Sequence, residues 1–140
     1  MSGHPLHPAV VHFPVGLLLS ATIADVAWLA GLTGDVHIGA IMMAGGLAAG
    51  LVAMAFGMFD LTKLDAPLVP RVLQHAGVMA VAWLGYAIAL YLRRDILTGG
   101  SALGTASVVV SLISALVLSA GGWLGGELVY TFGANVRKAP

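Results

Sequence analysis

Four long apolar stretches, separated by short polar breaks, limit what this chain can fold into more than any other feature. A helix needs about 20 mostly apolar residues to cross a bilayer, because each residue adds about 1.5 Å and the hydrocarbon core is about 30 Å thick. The stretches near 9–32, 37–59, 72–92 and 101–126 all have that length. Of 140 residues, 59% are hydrophobic and 9% are charged, well below the charge content of a soluble domain. The breaks TGDV, DLTKLDAPLVPR and RRDILTGG are short, so consecutive helices must run antiparallel. The expected architecture is all-α. One domain over residues 1–140 forms an integral membrane, up-down four-helix bundle in contact with the lipid bilayer.

Several function classes drop out at once. The formal net charge is zero, so no basic face points to nucleic acid. The chain has no cysteine, which excludes disulfides, thiolate-held iron–sulfur clusters and C-x-x-C-H haem attachment within it. No Lys or Arg precedes the first apolar run, which reads as a span and not as a cleaved leader. Pro5 and Pro8 favour extended backbone in HPLHP. Pro14 falls near the first turn of span one, where a missing N–H costs little. Pro67 and Pro70 are expected in the second loop.

Counting spans sorts the polar residues between two membrane faces. His4, His7, His12, Asp60, His75 and Glu127 fall at the end holding the N-terminus, here called X. Asp35, His37, Arg93, Arg94 and Asp95 fall at the opposite end, Y. Lys63, Arg71, Arg137 and Lys138 at X outnumber Arg93 and Arg94 at Y. By the positive-inside rule X is cytoplasmic, with both termini inside. A weak internal repeat runs through the chain: His12 opens a hairpin closing at Asp60, and His75 opens one closing at Glu127. The halves share one orientation, as parallel repeats do, and on this register His12 faces His75.

A histidine in a span is expensive to bury and calls for a partner or a ligand. Two imidazoles at one depth on different helices suit the axial positions of one haem b. His12 and His75 are the expected ligands. Gly16 would admit a flat ring, Met79 would line an apolar pocket, and Arg71 or Lys63 would pair with a propionate. Asp60 and Glu127 would orient ring nitrogens. Two alternatives stand beside this one. His4 and His7 with His12 and His75 could converge on zinc, copper or iron. The histidines could also be interhelical hydrogen-bonding groups of a cofactor-free accessory subunit. Gly46-x-x-x-Gly50, Gly121-x-x-x-Gly125 and Gly122-x-x-x-Gly126 mark close helix packing, inside the bundle or in a homo-oligomer. Asp25, inside span one, is expected to pair with Arg93 or Arg94.

HPLHPAVVHFPVGLL, the later His75 and the closing GGELVYTFGANV resemble the bacterial "domain of unknown function 2231" family over nearly the whole chain. The resemblance implies a small four-span membrane protein of the bacterial inner membrane, with no assigned activity. Its motif positions here are His4, His7, His12, Gly122, Glu127 and Tyr130. Some family members are fused to Rieske-type iron–sulfur domains, which implies electron transfer. The expected function is therefore an electron carrier more than a catalyst. It would exchange electrons with quinol or with a separate Rieske-type or cytochrome partner.

Overall fold

The computed structural model describes residues 7, 10–32, 35–62 and 66–134. Four helices long and apolar enough to cross a membrane dominate it: α1 (His12–Leu29), α2 (His37–Leu61), α3 (Val69–Leu92) and α4 (Thr105–Tyr130). Short 3₁₀ turns cover Ala66–Leu68 and Arg94–Thr98. The all-α, four-span expectation holds.

Two boundaries moved for local reasons. Pro70 sits in the first turn of α3 and not in the loop before it, since a first-turn residue needs no N–H partner. The fourth helix starts late because Gly104 is extended, with φ −73° and ψ 137°, and it continues to Tyr130.

The chain packs as two hairpins. α1 lies chiefly on α2 and α3 on α4, while contacts of α2 with α3 and of α1 with α4 are sparser. The hairpins repeat one another at a shift of 68 positions, the separation of Asp25 and Arg93. The buried Gly39, Met43, Gly46, Ala53 and Asp60 of α2 map onto buried Ser107, Ser111, Ser114, Gly121 and Leu128 of α4. Pro14, Leu18 and Ala21 map onto buried Ala82, Tyr86 and Ala89. The first loop shows the same register. Gly31 (φ 71°) and Gly99 (φ 102°) are both left-handed. Each closes a paired turn: Gly31 N–H to Trp28 O with Leu32 N–H to Ala27 O, and Gly99 N–H to Ile96 O with Gly100 N–H to Asp95 O. This is the Schellman arrangement, in which a residue without Cβ takes the positive φ at no steric cost.

This register corrects the repeat read from the sequence. His75 is equivalent to His7, not His12, and Asp60 is equivalent to Leu128, not Glu127.

The core between the hairpins is Leu18, Ala21, Met43, Leu47, Ala82, Tyr86, Ala89 and Leu118. A smaller cluster of Val36, Ala40, Ile96, Leu103 and Val108 closes end Y, with Trp28 packed against it. Large apolar side chains such as Ile23, Met58 and Leu116 point outward, each at least 68% exposed. In water such a surface would be a liability; in a bilayer it is the lipid-facing side.

Candidate functional site: a paired-histidine seam at end X

The buried face of α1 is Pro14, Leu18, Ala21, Thr22 and Asp25, one stripe at three- and four-residue spacing. His12 lies two positions before Pro14, about 200° around the helix at roughly 100° per residue, and it is exposed. Gly16 is off the stripe for the same reason. It too is exposed, and a Cβ built there would meet nothing within 4 Å. The structure therefore places neither residue on the interior face where the sequence reading had put them.

His7 takes the position equivalent to His75 in the repeat. Both are half-buried. His7 Nδ1 is 2.8 Å from the carbonyl oxygen of Ala53, and His75 Nδ1 is 2.9 Å from that of Gly121. Each histidine thus reaches the other helix of its own hairpin, across the same sequence separation of 46. A glycine stands one helical turn beyond each carbonyl. A Cβ at Gly57 would lie 3.1 Å from His7 Nδ1, and one at Gly125 would lie 3.0 Å from His75 Cε1. These glycines let the imidazoles lie flat against α2 and α4.

The carbonyls fix the chemistry. A carbonyl oxygen can only accept, so Nδ1 carries a proton in both rings, and in the neutral imidazole the lone pair is then on Nε2. A metal-ligating histidine has the same arrangement: one nitrogen tied to a carbonyl, the other presented to the metal.

The remaining predicted residues fall around this pair in different ways. Asp60 is buried, and its Oδ2 accepts the backbone N–H of His7 at 3.3 Å. It therefore holds the His7 backbone, while the ring is held by Ala53. Glu127 is half-buried at the end of α4, and the nitrogen it was expected to orient is taken by Gly121. Met79 packs on the inter-hairpin core, and a Cβ at Gly121 would collide with its sulfur. It forms the apolar layer one turn deeper than His75. Arg71 is exposed and stacks over the Phe132 ring, 4.2 Å from its centroid. His4 and Lys63 lie outside the described residues. Among the described residues no group of three or more His, Asp or Glu side chains converges to hold an ion. Gly122 and Tyr130 are exposed.

End Y carries the other polar centre. Asp25 pairs with Arg93, whose Nη1 donates to Oδ1 at 2.7 Å and to Oδ2 at 2.6 Å, with both side chains almost fully buried. Arg93 Nε donates to Ser107 Oγ at 2.6 Å, and Ser107 Oγ donates to Ala89 O at 2.8 Å. Arg93 Nη2 has no partner among the described residues. One turn toward X, Tyr86 Oη and Thr22 Oγ1 are hydrogen-bonded at 2.9 Å. Just outside α2, Asp35 accepts from the His37 backbone N–H at 2.8 Å and lies 2.9 Å from its ring. Those bonds hold the Asp35 carboxyl below the usual carboxylate range.

A family model of predicted membrane proteins matches residues 3–138. The chain belongs to the DUF2231 family. No curated protein and no solved structure matches it. Membership agrees with the four spans and carries no assigned activity. The motif histidines divide by geometry: His7 faces the seam and His12 faces outward. The signal that separates them is the buried-position register, which a self-comparison of the sequence at a shift of 68 would have exposed.

Proposed function

We propose that this protein is a small b-type cytochrome of the bacterial inner membrane. Its site binds one haem between His7 and His75, and both termini are cytoplasmic. The observation that carries this reading is the matched pair of imidazoles. Each has Nδ1–H tied to a main-chain carbonyl and Nε2 left as a donor atom, at equivalent positions of two repeated hairpins. The donor set suits iron in a porphyrin, which needs two protein ligands, better than a bare zinc or copper ion, which needs three or four. Ala53 and Gly121 would hold the ligand rings in orientation, Gly57 and Gly125 would let them lie close to the helices, and Met79 would exclude water from below. Arg71 at the membrane surface supplies a cation for a propionate. Bound haem would supply a one-electron couple, which suits exchange with quinol or with a Rieske-type or cytochrome partner.

The test is the haem-to-protein ratio of chains purified from haem-replete cells. The reading expects a ratio near one for the wild type and His12→Ala, and a large loss in His7→Ala and His75→Ala. A wild-type chain without haem would overturn it. So would loss in His12→Ala with retention in His7→Ala. Stoichiometric zinc or copper would support the non-haem reading, with His4 as a further ligand. Absence of every cofactor would leave an accessory subunit.

A further inference from the structure

The Asp25–Arg93 pair joins equivalent positions of the two hairpins, so it meets at the centre of the repeat. A repeated unit has three ways to pair: first with second, first with first, and second with second. Only the first is neutral at this point. Two first hairpins would set two Asp25 carboxylates together, with Gly39 and Met43 where the second hairpin has Ser107 and Ser111. Two second hairpins would set two Arg93 guanidiniums together. The neighbouring bond follows the same rule. Tyr86 Oη meets Thr22 Oγ1, whereas the equivalent positions, Leu18 and Leu90, offer no polar group.

The geometry is not that of a pair built for strength. Arg93 approaches both carboxylate oxygens through Nη1 alone and leaves Nη2 buried and, among the described residues, unpartnered. A buried ion pair repays its desolvation only with good geometry and its remaining donors satisfied, and its best-attested use is to fix register and partner. In lipid the isolated charges are costlier still.

We propose that Asp25 and Arg93 are a pairing code. They make the first hairpin accept the second hairpin and refuse the first hairpin of another copy of this chain. The code keeps the two unlike halves together, so that His7 of one and His75 of the other share one seam. It needs only the two hairpins and stands apart from the haem reading.

The test uses full-length chains carrying two different affinity tags, co-expressed without added haem. The double variant Asp25→Met/Arg93→Met removes the code and keeps the volume. It should stay helical by circular dichroism and raise capture of one tagged copy by the other severalfold over wild type. Trp83→Phe removes a different inter-hairpin bond, Trp83 Nε1 to Leu47 O at 3.0 Å, and should leave capture at the wild-type level. Unchanged capture in the double variant would overturn the proposal. Loss of its helicity would too, because the pair would then be a stabilising contact. An equal rise in Trp83→Phe would also overturn it, because loosening of the seam would then be enough.

Discussion

Replacing Gly125 with alanine tests the seat of His75. A Cβ at Gly125 would stand 3.0 Å from Cε1 and 3.4 Å from Nδ1 of the ring. Ordinary contact with a Cβ begins at 3.4 Å, so the ring must retreat by a few tenths of an ångström. Its Nδ1 is 2.9 Å from Gly121 O, and that retreat takes the bond toward the limit of useful geometry. Overpacking of this kind costs about 1–3 kcal/mol, with up to about 1 kcal/mol more from the weakened hydrogen bond. Alanine also gains helix propensity, about 1 kcal/mol over glycine, which blurs a comparison with wild type. Gly122→Ala removes that ambiguity. It lies in the same helix, gains the same propensity, and its Cβ meets nothing within 4 Å. The difference between the two variants isolates the clash. Thermal melts in mild detergent, followed by circular dichroism, should place Gly125→Ala about 3–12 °C below Gly122→Ala for a chain of this size. Equal melting temperatures would mean that the imidazole is not seated on Gly125.

Three further outcomes follow from the polar contacts. Arg93→Met leaves the Asp25 carboxylate buried without its partner and should cost about 3–5 kcal/mol in a denaturation experiment, far more than Arg94→Met at an exposed site. Tyr86→Phe removes one inter-hairpin hydrogen bond while Thr22 Oγ1 keeps its bond to Leu18 O; the expected loss is about 1 kcal/mol by the same measurement. Asp35 has a folded pKa below its unfolded one, so its support for the start of α2 is fully present above about pH 4 and fades as pH falls through the lower folded value. Amide exchange at the α2 N-terminus should therefore separate wild type from Asp35→Asn at pH 6 and converge toward pH 2; a gap independent of pH would assign the effect to something other than the carboxylate.

Hydropathy alone made the four helices legible, because a bilayer-spanning segment must be long, apolar and internally hydrogen-bonded. It was blind to helix ends, where Pro70 entered α3 and the extended Gly104 delayed α4. The site was legible in part. His75, Asp60 and the gathering of histidines at X came from span counting, and the Asp25 partner came from shared depth. His12 was mistaken for the inward histidine because it lies inside the apolar run, whereas His7 precedes it in a proline-flanked stretch that reads as a lead-in. Depth along the membrane normal does not say which way a side chain points. That information lay in the Pro14–Leu18–Asp25 stripe, which turns His12 outward, and in the repeat register. Gly57 went unnoticed and Gly125 stood out only as half of a helix-packing motif, because a glycine that seats a ring forms no motif with the histidine it serves.

The most direct test of the central claim is the spin state of the haem-loaded protein, read by visible absorption and electron paramagnetic resonance. The proposed site predicts six-coordinate, low-spin iron in the wild type, and five-coordinate, high-spin iron or none in His7→Ala or His75→Ala. Low-spin iron that persists in His7→Ala and disappears in His12→Ala would contradict the account.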